Sequence, residues 1–475
     1  MARRQRMAVA VAVVVASAWW GVPVVATAGT PLLAVTTASL PPALAGQPYT
    51  ATLAATGGVP PYTWQVASGS GRLPRGLHLD PGSGMITGTP ATDAVTTAFT
   101  LGVRDTRSGP DHPPGVATAR LSIVVGTVGH AAVSAGIQST CDLEPGASVA
   151  CWGWNYYGQL GDGTTTDRTR PVAVAGLTGV VAVADNGITT CALRGDGTVA
   201  CWGFGLGGEL GDGTTASSLI PVDVSGLADA TALAAGYGQT CALRSSGTVV
   251  CWGGNYYGQL GDGTTVNSDV PVPVGGLSGV TALASGQDHV CAVLAPGTVD
   301  CWGRNEQDQL GNGTTTNSPV PTPVSGLTGV TEISSGGWAT CALRSDGTAA
   351  CWGANFFGDL GGGTTAATTV PVDVVGLTGA IAVVNGDADT CALLADTTVR
   401  CWGMGQFGEL GDGSPATSLT PVPVKGLSGV VGISVGLSHA CADLATGPLE
   451  CWGANVNGEL GDGTHVTART PRVVA

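Results

Sequence analysis

Lysine is almost missing from this chain. Its 475 residues include one, Lys425, and 18 basic side chains stand against 33 acidic ones, a formal net charge of −15. A surface so poor in cations repels phosphate backbones, which argues against a nucleic-acid partner. Helical periodicity is missing as well: no segment keeps apolar residues at spacings of three and four. With 77 glycines, the chain reads as all-β with many turns. Long apolar runs are few. The longest, from Met7 to about Trp20, is shorter than the ~20 residues of a spanning helix.

That run has a specific layout. Arg3, Arg4 and Arg6 precede it, Gly21 and Pro23 follow, and Ala26-Thr27-Ala28 closes it. This is the order of a secretory signal peptide, with cleavage expected after Ala28 and Ala18 as a second site. The expectation is therefore a protein that is secreted or displayed at a bacterial cell surface, with no membrane span after cleavage. Charge divides what remains. Residues 31–125 hold five Arg against four Asp, whereas residues 126–475 hold ten basic and 29 acidic side chains.

The second segment repeats itself. Cys-Trp-Gly recurs at 151, 201, 251, 301, 351, 401 and 451, a period of 50 residues without slippage. In the fifth unit, runs at Val330–Ser334, Thr340–Arg344, Thr348–Trp352 and Val370–Val374 read as strands. Four short strands per unit, repeated seven times, predict a seven-bladed β-propeller.

The hairpin register follows from the turn. Ser345-Asp346-Gly347 makes a three-residue loop with glycine at the left-handed position. Cys341 then falls opposite Cys351 at a non-hydrogen-bonded site, where a bridge is feasible. The same spacing joins Cys141 to Cys151, Cys191 to Cys201, Cys241 to Cys251, Cys291 to Cys301, Cys391 to Cys401 and Cys441 to Cys451. One disulfide per blade is expected rather than structural zinc, which needs four converging ligands. Proline at 171, 221, 271, 321, 371, 421 and 471 opens the fourth strand in this reading and marks it as the outer edge. The repeated Trp reads as packing between blades.

The unit C-A-L-R-S-D-G-T-A-A-C-W-G-A-N-F-F-G-D-L-G-G-G-T at 341–364 resembles the regulator of chromosome condensation repeat. The resemblance covers about 350 residues. It implies a propeller like those of a nuclear exchange factor, a plant UV-B photoreceptor and secreted bacterial β-lactamase-inhibitory propellers. The cysteine pairs depart from the nuclear pattern and suit an oxidising compartment. The exchange factor's wedge would need an insertion, and no unit departs from 50 residues, so nucleotide exchange is not expected. Upstream, Gly58-Val59-Pro60-Pro61-Tyr62-Thr63-Trp64, Leu73–Leu77 and Gly84–Pro90, ending near Val103-Arg104-Asp105, resemble the immunoglobulin-like domains of bacterial surface and secreted proteins. The expected division is a signal at 1–28, a small β-sandwich at 29–125 and the propeller at 126–475. Asp111–Pro114 reads as a loop and Gly126–Gly129 as the linker.

Chemistry is harder to find. The six histidines, at 78, 112, 130, 289, 439 and 465, are scattered, and the one repeat position shared by His289 and His439 favours packing. The Gly-Asp-Gly-Thr runs, with Asn312 and Gly362 replacing the acid in two units, read as turns in which Asp bonds local backbone. No catalytic residues, metal site or cofactor are expected. A binding face is easier to argue, because the first-to-second and third-to-fourth connections of each blade emerge on the same side. The candidates for contact are Trp154, Tyr156, Tyr237, Tyr256, Asp288, His289, Arg304, Trp338, Phe356, Asp387, Asp389 and His439. Residues preceding the loop glycine, Tyr157, Tyr257, Phe357 and Phe407, read instead as buttresses between blades. Aromatic residues ringed by acids favour protein recognition. The expected function is protein binding by a monomer, with inhibition of a secreted enzyme such as a β-lactamase as a specific form. A structural or adhesive envelope role is the rival, and a hydrolase or lyase in the channel would need Asp288, His289, Asp387, Asp389 and His439 to converge.

Overall fold

A computed structural model describes residues 33–37, 40, 43–44, 49–67, 72–90, 97–106, 115–123, 125–126, 133–144 and 146–475. The expected signal segment, the loop at Asp111–Pro114, His130 and most of the linker lie outside these residues.

The N-terminal segment forms short strands whose alternate residues point inward. Tyr49–Thr52, Met85–Gly88 and Leu77–Leu79 make one three-stranded sheet; Thr63–Val66, Thr97–Arg104 and Val116–Ile123 make another. Trp64, Ile86, Phe99, Leu101 and Ile123 fill one apolar core between them. Val125–Gly126 pairs in parallel with Ala43–Leu44. Gly126 therefore belongs with this sandwich, one residue beyond the expected boundary.

Seven four-stranded antiparallel sheets follow, each with its strands in sequence order. In blade 5 they are Val330–Ser335, Ala339–Arg344, Ala349–Gly353 and Thr368–Asp373. The first strands of successive blades pack side by side around the central channel. Gly347 takes φ 78° at the hairpin turn, and Arg344 N–H donates to the Thr348 carbonyl. Cys341 accordingly faces Cys351, their Cα atoms 4.1 Å apart and bridged. All seven blades carry the equivalent disulfide, and no described cysteine is free.

One reading is refined. The fourth strand is the outer edge, but proline does not open it: in blade 1 the strand spans Arg168–Ala173, with Pro171 inside. An edge strand tolerates this because its outward side has no partner to receive an N–H. The ring closes without a shared strand, because Ala468–Val473 pairs with Glu450–Gly453 of its own blade. Every blade is thus one contiguous unit.

Closure between blades 7 and 1 uses the same contacts as every other junction. Each repeated Trp is fully buried and donates its indole N–H to a backbone carbonyl of the preceding blade. Trp352 reaches Gln309 O at 2.8 Å, and across the closing junction Trp152 reaches Glu459 O at 2.8 Å. The indole lies on a left-handed glycine: a Cβ at Gly311 (φ 62°) would stand 2.6 Å from Trp352 Nε1. This contact explains why Leu-Gly recurs in each third-to-fourth loop.

Candidate functional site

The long third-to-fourth loops are built around one buried asparagine. Asn255 Oδ1 accepts from Leu260 N–H at 2.9 Å, and Nδ2 donates to the carbonyls of Thr264 and Val266 at 3.2 and 3.0 Å. Asn155, Asn305, Asn355 and Asn455 make the same bonds. Two blades lack this asparagine. There Gly205 and Gly405 approach the Ala216 and Ala416 carbonyls so closely that a Cβ would collide with them. Replacing Asn255 with Ala leaves the buried Leu260 N–H without its acceptor, at a cost of ~2 kcal/mol. Chemical denaturation should register that loss, and proteolysis should open the loop first.

So held, the loop presents the residue directly after this asparagine to solvent. Tyr156 is 67% exposed, Leu206 67%, Tyr256 77%, Phe356 59% and Val456 68%. These five occupy one repeat position, with Glu306 and Gln406 in the other two blades, and together form an interrupted apolar rim. Leu206 and Val456 escaped the sequence reading because neither is aromatic; their repeat position was the available signal.

The other candidates distribute unevenly. Trp154 stacks on Tyr156, with centroids 6.0 Å apart, and Trp338 meets Phe356 edge-on at 6.0 Å. The indole N–H of Trp338 is buried with no partner. Tyr237 is 43% exposed. Arg304 is tied down, with Asp288 at 3.3 Å, Glu306 at 2.9 Å and the Tyr257 ring 4.6 Å away. Burial raises the carboxyl of Asp288, and this arginine partly offsets it. Tyr157 buttresses blade 2 through Phe204, 5.0 Å away. Phe357 and Phe407 are 40% and 43% exposed and extend the rim, and Phe407 also lines a cleft with Leu437, Ala454 and Val456 of blade 7.

His289, His439 and Asp389 correct the sequence reading more firmly. Their exposures are 0%, 1% and 0%, so no partner can touch them on this face. Each lies at the start of a second strand, where the side chain points into the next blade. His289 Nε2 lies 2.8 Å from Thr340 Oγ1, and His439 Nε2 lies 2.8 Å from Thr140 Oγ1. Burial lowers these imidazoles to about 3 and about 4, which keeps them neutral. Asp389 faces a blade that carries Ala440 where Thr140 and Thr340 stand elsewhere. Both of its carboxylate oxygens are buried without a partner. Burial, then Glu409, Asp359 and Asp387, push its carboxyl well above the usual range.

The first-to-second loops surround the mouth of the central channel, leaving a cavity of about 510 Å³. Tyr237, Trp338, Asp185, Asn385 and Asp387 are among its walls. Glu332, on the first strand of blade 5, is raised to about 7 by burial. Of the five candidates Asp288, His289, Asp387, Asp389 and His439, Asp387 alone lines this cavity.

The Gly-Asp-Gly-Thr runs are turns, as expected. Asp162 Oδ1 accepts from the backbone and hydroxyl of Thr164 at 2.9 and 2.7 Å, and Asn312 holds Thr314 in the same way. Among the described residues no three His, Cys, Asp or Glu are grouped to hold a metal ion.

Comparison with known proteins agrees with this architecture. Residues 30–126 match the Putative Ig domain family, and residues 148–475 match the RCC1-like domain family. Prp20p from Saccharomyces cerevisiae is similar at 23% identity, over 73% of this chain and 87% of that one, with a TM-score of 0.62. Human WBSCR16 is similar at 22% identity, over 72% of this chain and 94% of that one, with a TM-score of 0.61. Yeast RCC1 (Prp20) bound to Kap60 gives 22% identity, 73% and 85% coverage and a TM-score of 0.62. At these identities the likeness establishes the fold alone. No curated protein sequence matches the chain significantly. The seven blades, their buried Trp junctions and the match across residues 148–475 place the chain in the RCC1-like domain family.

Proposed function

We propose that the chain is a secreted binding protein whose loop face grips a protein partner, with inhibition of a secreted enzyme such as a β-lactamase as one form. The observation that carries this reading is the apolar rim, because five of seven blades expose a large apolar side chain at one position. Water disfavours such surface, and large apolar side chains gathered on one exposed face mark candidate interaction sites. Aromatic anchors supply most of the energy in typical interfaces. Structural relatives give general support: Prp20p has been studied for binding to Gsp1p and histones, and yeast RCC1 has been crystallised with Kap60.

The test compares the protein with a Tyr156→Ala, Tyr256→Ala, Phe356→Ala variant. Partners are captured from the medium and envelope of the producing organism, identified, and titrated by calorimetry. The triple variant is expected to lose at least ~100-fold in affinity, since each anchor is worth ~1–2 kcal/mol or more, with its melting curve unchanged. Equal affinity of the two proteins removes the loop face as the site. A β-lactamase panel at micromolar concentration decides the inhibitory form separately.

A second reading places attachment on the sandwich, favoured by a cleft of about 430 Å³ lined by Trp64, Arg72, Leu73 and Leu77. An envelope or adhesive role would then leave the rim passive. Capture that survives the triple substitution supports it.

A further inference from the structure

The cavity at the channel mouth has no basic side chain in its lining and two carboxylates, Asp185 and Asp387. These two differ in their surroundings. Asp185 is satisfied by Ser139 Oγ at 2.7 Å, Gly187 N–H at 2.8 Å and Thr190 Oγ1 at 3.3 Å. Asp387 has no such partners: its carboxylate is open to the cavity, yet protein surrounds it on most sides and raises its pKa by desolvation. Its placement depends on Gly337, where a Cβ would collide with the Asp387 carboxylate.

Behind Asp387 stand three more acids. Asp359 is raised to about 7 by burial and by Asp387. Asp389 is 0% exposed with both oxygens unpartnered, and Glu409 is 0% exposed with Oε1 unpartnered. Asp359, Asp387 and Glu409 all act on Asp389 electrostatically, and no basic side chain offsets any of the three on it. A concave site walled by low-dielectric protein focuses such a field on its opening. Tyr237 and Trp338 are also among the walls of this cavity, and aromatic faces attract cations. A bare metal ion does not suit the geometry, because the carboxylates are not grouped as ligands. An organic cation on a flexible stem does, since it brings one charge to Asp387 and apolar methylenes to the aromatic walls.

We propose that the channel mouth receives a lysine or arginine side chain of the protein partner, paired with Asp387 and flanked by Tyr237 and Trp338. The inference rests on the loop-face reading and adds that the partner presents a basic side chain at the centre of its contact surface. Protons compete for the same acids, so binding strengthens as pH rises through the range in which they ionise.

The experiment titrates the full chain into fluorescein-labelled acetyl-Gly-Gly-Lys-Gly-Gly-amide and into its arginine and norleucine counterparts, reading anisotropy at pH 6 and pH 8. The lysine and arginine peptides are expected to bind at least ~10-fold more tightly than the norleucine peptide, and several-fold more tightly at pH 8 than at pH 6. Asp387→Asn, which removes a like charge from the cluster and so preserves folding, is expected to abolish both differences. Tyr237→Leu, which keeps every carboxylate, is expected to weaken the basic peptides several-fold. Indifference to charge on the peptide, or to Asp387→Asn, overturns the proposal. The identified partner separates this proposal from the one it rests on: affinity lost on rim substitution but kept in Asp387→Asn overturns the cup alone, and affinity kept in both overturns the loop-face reading too.

Discussion

Replacing Trp352 with Ala is expected to destabilise the propeller by ~3–5 kcal/mol, the largest loss from any single side chain outside the disulfides. The indole is 0% exposed and fills the space between blades 4 and 5, against Val299, Leu310, Val324 and Val330. Truncation leaves a cavity that the β-meanders on either side cannot collapse to fill, because their registers are pinned by ladders and by the bridges at Cys291–Cys301 and Cys341–Cys351. It also orphans the Gln309 carbonyl, which accepts the indole N–H at 2.8 Å. Denaturant melts followed by tryptophan fluorescence and by circular dichroism measure the loss. A cost under ~1 kcal/mol would show that the junctions are not held by these indoles. Because all seven Trp make the same contact, Trp152→Ala at the closing junction should cost about as much as Trp352→Ala.

The second large effect is electrostatic. Asp389→Asn should stabilise the protein at pH 8 and change little at pH 5. The sign follows from the raised carboxyl of Asp389. Its folded form holds a proton that the unfolded chain releases near pH 4, so its contribution is fully present below that pH and is lost as pH rises through the folded value. Asp185 (about 6), Asp359 (about 7) and Glu332 (about 7) act in the same direction. His289 and His439 act oppositely. Their folded values, about 3 and about 4, lie below the unfolded value near 6.5, so the stability they support is present above that value and falls as pH drops.

The wild-type protein should therefore lose carboxyl-linked stability as pH rises from about 4 through about 7, and imidazole-linked stability as pH falls from about 6.5 toward about 4. Asparagine at 389 removes one contributor to the carboxyl-linked loss. The repeat itself supplies the variant for the acid limb. Gln239 fills the His289 position in blade 3 and donates to Ser285 Oγ and Gly286 O at 2.9 and 3.0 Å, so His289→Gln should flatten that limb. Melting temperatures across pH 4 to 9 test both, and a flat wild-type profile would mean that these groups find water or partners in solution.

How far the sequence could be read depended on the range of the interaction. Anything local and repeated was legible. The 50-residue period, the hairpin register that sets Cys341 opposite Cys351, and the Asp162 turn all rest on contacts within about ten residues, and seven copies average out the noise of any one. Burial of the repeated Trp followed from the same pattern, because a large indole recurring inside a strand has nowhere to go but a neighbouring blade.

Tertiary structure alone decided what depends on which blade stands next to which. His289 and Asp389 occupy one repeat position, and the sequence places both near the loop face. The neighbouring blade offers Thr340 to one and Ala440 to the other, so the first is satisfied and the second is left with bare carboxylate oxygens. The acids Asp359, Asp387, Asp389 and Glu409 span fifty residues of sequence and act on one another because the ring brings successive blades together. The rim shows the same division. Tyr156, Tyr256 and Phe356 announce themselves by chemistry, whereas Leu206 and Val456 join them because each blade lifts the same position to the same height. Local sequence determined the shape of each blade; closure of the ring determined which charges meet and which surfaces remain open.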